Sequence, residues 1–314
     1  MKKWIWMITV LTAIAVLAAC GNQGKTAGTN EETVTVKDML NKDGVKIKKN
    51  PKKVVVFDMG SLDTLDKLGV NVTALPKQVI PHYLSKYESD KYENVGGLKE
   101  PNFEKIAEMK PDLIIIQHRQ ADAFDEFSKI APTIYMDVDN ANYMESFKKN
   151  AETLGKIFDK EDKVKKELSA IDQKVASLKK QAKELKKNGL VIMANDSKMT
   201  AFGPKSRYGL IHDVFGITPA DQKLEPSDKH GQSISYEYMV KTNPDYLFVV
   251  DRGAAIGEET SAKQLVENDY VKSVKAVKNN HVVYLNSDMW YLAGGGLESL
   301  NAMIDEVKKG IEQK

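Results

Sequence analysis

Phe103-Glu104-Lys105-Ile106-Ala107-Glu108-Met109-Lys110-Pro111-Asp112-Leu113-Ile114-Ile115-Ile116, with Arg119 just beyond it, has a counterpart in the second half of the chain. The counterpart is Tyr236-Glu237-Tyr238-Met239-Val240-Lys241-Thr242-Asn243-Pro244-Asp245-Tyr246-Leu247-Phe248-Val249-Val250, with Arg252 beyond it. In both copies Pro lies seven positions after Glu, and Arg lies eight positions after Pro. An aromatic-Glu start, a Pro-Asp stop and an apolar run predict a short helix, a tight turn and a buried strand. Each Arg is thereby delivered past the C-terminal end of a strand, where open α/β sheets bind their ligands.

The same alternation extends outward from the first copy. Val54-Val55-Val56-Phe57 reads as a strand and Ser61–Leu68, apolar at 62, 65 and 68, as a helix ended by Gly69. Phe124–Ile130 reads as a helix and Thr133–Met136 as a strand. Alternating strands and helices predict parallel α/β units. From Lys160 to Lys187 the chain then has no Gly or Pro, and Val164, Leu168, Ile171, Val175, Leu178, Ala182 and Leu185 recur at steps of three and four. That is one amphipathic helix, roughly 40 Å long at 1.5 Å per residue, ended by Asn188-Gly189. Beyond it the strands return, at Leu190–Ala194, Met199–Phe202, Tyr246–Val250 and Val282–Leu285. The expected fold is therefore α/β, with two Rossmann-like lobes, residues 35–159 and 189–314, joined by a long backbone helix, residues 160–188. A coiled-coil partner is the other reading of that helix; a strut between lobes explains why the pattern restarts.

The chain begins with Lys2 and Lys3, an apolar run Trp4–Val16, and Leu17-Ala18-Ala19-Cys20. The run is short for the ~20 residues of a membrane span, and polar Gly21-Asn22-Gln23-Gly24 follows at once. This resembles a lipobox, which implies a signal peptide over 1–19, removal before Cys20 and lipid on its thiol. Cys20 is the only cysteine, so no internal disulfide is possible. Residues 20–34 hold little to bury and read as a lipid-anchored tether. Loss of Lys2 and Lys3 brings the formal charge from +2 to zero. A neutral chain lacks the basic field of a general nucleic-acid binder.

Arg119, Arg207 and Arg252 are the only arginines among 46 basic residues. A guanidinium donates two parallel bonds to paired oxygens and is weakly hydrated, so sparing use at matched strand ends points to an anion site. Pairing with a local carboxylate, such as Asp251 or Asp122, is the competing reading for any single one. His230, in a polar loop before the second copy, and Tyr291, beside Trp290, are candidate ligands for a ferric centre; surface solvation of His230 and a core or rim role for Tyr291 stand against this. Glu104 and Glu237 sit where a helix dipole stabilises a carboxylate, and their duplication suggests one acidic knob per lobe. No P-loop, nucleophile elbow or His-Glu-x-x-His occurs, and the five histidines (82, 118, 212, 230, 281) are scattered. Gly294-Gly295-Gly296 lacks the strand and helix of a phosphate-binding fingerprint. The constellation suits an anionic iron chelate, and no enzyme.

His230-Gly231-Gln232-Ser233 through Asp251-Arg252, and Trp290-Tyr291-Leu292 with Gly295-Gly296-Leu297-Glu298-Ser299-Leu300, carry a resemblance over essentially the whole chain after the signal. The chain resembles the bacterial iron–siderophore solute-binding lipoproteins of ABC importers, in the catecholate subgroup that includes the petrobactin-binding lipoproteins of Gram-positive bacteria. The resemblance implies the class III periplasmic-binding-protein fold, a monomer with no cofactor of its own, and a ferric siderophore as ligand. It implies that Arg119, Arg207 and Arg252 neutralise catecholate oxygens. It further implies that His230 and Tyr291 complete iron coordination where a bis-catecholate leaves positions open, and that Glu104 and Glu237 dock on the permease at the outer face of the cell membrane. A ferric hydroxamate or haem is the alternative ligand.

Overall fold

The computed structural model describes residues 32–225, 230–258 and 262–312. The expected signal segment, Cys20 and all but the last three residues of the expected tether lie outside the described residues, as do Ser227, Asp228 and Lys229 of the polar loop. Thr33 and Val34, expected to end the tether, instead pair with Lys48 and Ile47 in an antiparallel hairpin of β1 (Thr33–Val36) and β2 (Val45–Lys48).

Two sheets follow. In the first, β3 (Val54–Val56), β4 (Ala74–Leu75), β5 (Glu93–Asn94), β6 (Leu113–Ile116) and β7 (Thr133–Tyr135) run parallel in the order β5-β4-β3-β6-β7. Helices α1 (Met59–Leu68), α2 (Phe103–Met109) and α3 (Phe124–Ile130) connect them. In the second, β8 (Asn188–Asn195), β9 (Lys198–Phe202), β11 (Gln232–Ile234), β12 (Tyr246–Asp251) and β13 (Val282–Leu285) are ordered β11-β9-β8-β12-β13, with β10 (Thr218–Pro219) also on β8. This sheet is mixed, where the alternation predicts parallel units throughout. Only Asp196 and Ser197 separate β8 from β9, and a two-residue turn returns the chain antiparallel because a crossover needs a dozen residues or more.

Between the sheets run α4 (Tyr143–Ile157) and α5 (Glu161–Leu185). The α5 apolar stripe, Val164, Leu168, Ile171, Leu178 and Ala182, is buried in one cluster that takes in Phe147 and Ala151 of α4 and Phe248 of β12. The helix is therefore a shared core element as much as a connection. Further helices, α6 (Leu210–Asp213), α7 (Tyr236–Thr242), α8 (Arg252–Ile256), α9 (Ala262–Val266) and α10 (Lys275–Lys278), serve the second sheet, and α11 (Leu297–Glu312) closes the chain against α5 and α1. Among the described residues no helix is long and apolar enough to cross a membrane.

The repeated motif has one local design. The Asn102 side chain accepts from Lys105 N at 2.9 Å and caps α2; Ser235 Oγ accepts from Tyr238 N at 3.2 Å and caps α7. Both helices end on a left-handed residue, Lys110 (φ 48°) and Asn243 (φ 45°), after which Pro cannot continue the helix. The Asp of each Pro-Asp then accepts a backbone N–H at the start of the neighbouring strand. Asp112 Oδ2 takes Lys53 N at 2.8 Å and Asp245 Oδ2 takes Asn188 N at 3.2 Å. This fixes strand entry, and so fixes where the arginine emerges at the far end.

A polar bolt joins the two halves. Asp63 of α1, fully buried, accepts from Glu298 N at 2.8 Å and Ser299 N at 2.7 Å in the first turn of α11, and from Tyr83 Oη at 2.7 Å. Thr64 Oγ1 accepts from Leu297 N at 3.2 Å beside it. Gly294, Gly295 and Gly296 serve close approach: a Cβ on Gly296 would lie 2.3 Å from Asp63 Cγ, and one on Gly60 3.2 Å from Gly294 O. Burial pushes the Asp63 carboxyl up to about 6, against hydrogen bonds from Tyr83, Glu298 and Ser299 that pull it down.

Candidate functional site

Past the C-terminal ends of β3, β6 and β7 lies a cleft with about 850 Å³ of empty space, walled on its other side by residues of the second half. Arg119, Arg207 and Tyr291 all line it.

Arg119 stands in the 3₁₀ turn His118–Ala123 that follows β6. Burial, then the nearby Arg207 guanidinium, holds it below the ordinary arginine range. Among the described residues it has no hydrogen-bond or ion-pair partner. Arg207 lies between two aromatic faces, its Cζ 4.4 Å from the Tyr291 ring centroid and 5.3 Å from that of Tyr208. Its Nη2 donates to the Tyr291 carbonyl at 2.9 Å. Tyr291 belongs to the π-helical turn Asp288–Leu292. Burial pushes its phenol up, but Arg207, Arg252 and Arg119 together outweigh this and hold it below the usual phenol range.

Arg252 reaches the cleft at one remove. Its Nε donates to Tyr291 Oη at 3.3 Å, while Nη1 contacts Asn195 Oδ1 at 2.9 Å and Glu258 Oε2 at 3.4 Å. Its local carboxylate is thus Glu258; Asp251 is occupied in capping α8 through Ala254 N. The structure does not bring His230 to the cleft lining: it is exposed, next to Gly231, which packs on Phe202 beside the edge strand β11. Glu104 and Glu237 are exposed in the first turns of α2 and α7. Trp290 is buried beneath the site and donates from Nε1 to Glu306 Oε2 at 2.7 Å.

Polar residues that composition and motif had not singled out line the same cleft, among them Asp58, His118 and Asp137. Asp58 follows β3, His118 follows β6 and Asp137 follows β7, so the rule of strand C-terminal ends would have found all three. His118 Nδ1 lies 3.4 Å from Asp137 Oδ1, and Tyr135 Oη donates to Asp137 Oδ2 at 2.8 Å. Burial pushes Asp137 up, but these two partners outweigh it and hold the carboxyl below its usual range. The cleft therefore presents guanidiniums and a phenol together with two carboxylates.

A cleft of this kind at the strand ends of two α/β sheets, with a long helix through the shared core, is that of a solute-binding protein. The chain belongs to the periplasmic binding protein family, whose match spans residues 54–289. It is 65% identical over 318 residues, the whole of both chains, to the petrobactin-binding protein YclQ of Bacillus subtilis, whose crystal structure superposes with a TM-score of 0.88 over 90% of this chain and 100% of that one. It is 34% identical to the ferric-anguibactin-binding protein FatB of Vibrio anguillarum, over 85% of this chain and 84% of that one. The crystal structure of the periplasmic catecholate-siderophore binding protein VctP of Vibrio cholerae matches at 35% identity with a TM-score of 0.81, over 88% of this chain and all of the other.

Proposed function

We propose that this chain captures a ferric catecholate siderophore of the petrobactin type outside the cytoplasmic membrane and hands it to an ABC permease. The observation that carries the reading is the meeting of Arg119, Arg207 and Tyr291 in one cleft, with Arg252 bonded to the Tyr291 phenol. Catecholate oxygens around Fe(III) are anionic and paired, which suits guanidinium forks. A phenol held below its usual range is readier to meet iron as phenolate. The likeness to proteins described as binding petrobactin and a catecholate siderophore supports the same ligand class.

The remaining parts of the reading follow the same logic. Arg119 and Arg207 neutralise the chelate directly and Arg252 does so through Tyr291. His230 joins Tyr291 at iron only if its loop carries it to the cleft. Residues 1–19 direct export, Cys20 carries the lipid, residues 20–34 tether a monomeric body of two lobes, and Glu104 and Glu237 dock on the permease. The protein holds no cofactor and performs no chemistry on its cargo.

Calorimetric titration of the protein with ferric petrobactin, a ferric bis-catecholate, a tris-catecholate, a hydroxamate and haem tests the ligand class. Saturable binding of the catecholates alone supports it, and a response to hydroxamate or haem in their place overturns it. Palmitate labelling lost in Cys20→Ser tests the anchor.

A further inference from the structure

An uncommon piece of backbone delivers Tyr291 to the cleft. The chain leaves β13 at Leu285, turns at Asn286 and passes through the π-helical turn Asp288–Leu292. Such turns are rare and recur at functional sites. The Asn286 carbonyl accepts from Met289 N at 3.1 Å and Trp290 N at 3.0 Å, and Asn286 Oδ1 accepts from Asp288 N at 3.0 Å. At the other end the Tyr291 carbonyl holds Arg207 Nη2 at 2.9 Å. The place of this turn therefore sets the place of the phenol and of one guanidinium together.

A single side chain of α11 fastens the turn from behind. Glu306 Oε1 accepts from Asn286 N at 2.8 Å, and Oε2 accepts from Trp290 Nε1 at 2.7 Å. One donor stands at the entry of the turn and the other beside Tyr291. Among the described residues no Lys or Arg pairs with Glu306, so both oxygens serve the turn. Burial pushes its carboxyl up, against the two hydrogen bonds that pull it down. Its neighbour Asp305 is exposed and pairs with Lys174 at 2.6 Å instead.

We infer that Glu306 is a positioning residue of the chelate site, setting through Asn286 and Trp290 where the turn presents Tyr291 and anchors Arg207. It does not line the cleft itself. The position calls for a carboxylate, because both partners are N–H donors and a carboxylate accepts on both oxygens. A glutamine of the same shape has one acceptor oxygen and turns an NH2 group on the second donor. The inference rests on the ferric-catecholate reading above.

The test titrates a ferric bis-catecholate calorimetrically into the full chain in detergent, at a temperature where circular dichroism shows every variant folded. Glu306→Gln is expected to weaken binding about tenfold, the worth of one hydrogen bond turned into a donor–donor conflict. In a Trp290→Phe background the indole donor is gone, and the amide can give its oxygen to Asn286 N. There the same change is expected to cost no more than about twofold. Asp305→Asn, which removes a charge from the same helix on its outer side, is expected to keep native affinity. Native affinity in Glu306→Gln, even with a lowered thermal midpoint, makes the carboxylate a structural bond and overturns the inference. A tenfold loss that persists in the Trp290→Phe background, or appears equally in Asp305→Asn, overturns it as well, and in each case the ferric-catecholate reading stands. Failure of the native chain to bind the chelate overturns that reading and the positioning role with it.

Discussion

Arg207 holds Tyr291 in two ways at once: its guanidinium covers the ring with Cζ 4.4 Å from the centroid, and its Nη2 donates to the same residue's carbonyl at 2.9 Å. The planar fork does both because its face and its edge are different chemical surfaces. Lysine, a compact ammonium, offers no such face. Arg207→Lys is expected to weaken ferric-catecholate binding about tenfold or more while leaving the melting temperature within a few degrees. Native affinity in the Lys variant, by calorimetry, would show that charge alone suffices at this position.

Arg119 has no protein partner among the described residues, so its removal leaves no orphaned acceptor behind. Arg119→Ala is expected to cut affinity by about 10–100-fold, the range for a lost charge-assisted contact. The fold should not suffer, because a partly buried unpaired charge stabilises little. Arg252→Ala, by contrast, frees Asn195, Glu258 and the Tyr291 phenol together. It should lower both affinity and the thermal midpoint, and scanning calorimetry beside titration separates the two variants.

Tyr291→Phe removes the acceptor of the Arg252 Nε–H and, among the described residues, the one phenol held below its usual range. If this phenolate meets iron in a complex with open coordination positions, the visible absorption of the native complex should lose its tyrosinate contribution in the variant. An unchanged spectrum would place Tyr291 outside the iron's reach.

The Asp63 bolt yields a pH signature. A carboxyl raised to about 6 by burial takes up its proton in the folded chain before the unfolded chain does. Its contribution to stability therefore grows as pH falls from about 6 to about 4 and is flat above, opposite in sign to a salt-bridged aspartate. Asp63→Ala should flatten that stretch of the stability-versus-pH curve. At pH 7 it should also cost about 2–4 kcal/mol, because Glu298 N and Ser299 N lose their acceptor. Urea melts at several pH values decide both.

Glu104 and Glu237 are not among the residues that line the cleft. Glu104→Ala with Glu237→Ala is expected to leave the dissociation constant within about twofold and to abolish uptake of labelled iron by cells. Loss of binding in the purified double variant would make both residues structural.

The repeat was the most legible part of the sequence, because every step in it is local. Capping by Asn102 and Ser235, left-handed exits at Lys110 and Asn243, and Pro-Asp turns all follow from neighbours along the chain. The periodicity likewise predicts α5, observed as Glu161–Leu185, but its stop is a left-handed Lys186, and Asn188-Gly189, expected to end it, instead opens β8. What was not legible is where α4 packs: its buried stripe, Tyr143, Phe147, Ala151 and Leu154, recurs at steps of three and four, but its contacts with α5, α1 and β1 arise only in the fold. Nor was the antiparallel return at Asp196, since a turn is set by two residues and leaves no period.

At the site, the arginines stood out by scarcity, whereas Asp58 and Asp137 are two among 44 acidic residues. Only their place at strand ends distinguishes them, and that place becomes visible once the sheet is assembled. Glu258 as the partner of Arg252 depends on the turn of α8, which no spacing announced.

The contact of Asp63 with the first turn of α11 has a kinetic meaning. The two sheets are fastened at the root of the cleft, so cargo arrives at a mouth already shaped for it, and the ordering entropy of two separate jaws is settled during folding. Discrimination among chelates falls on how long each one stays, and residence time, more than capture rate, sets what the permease receives.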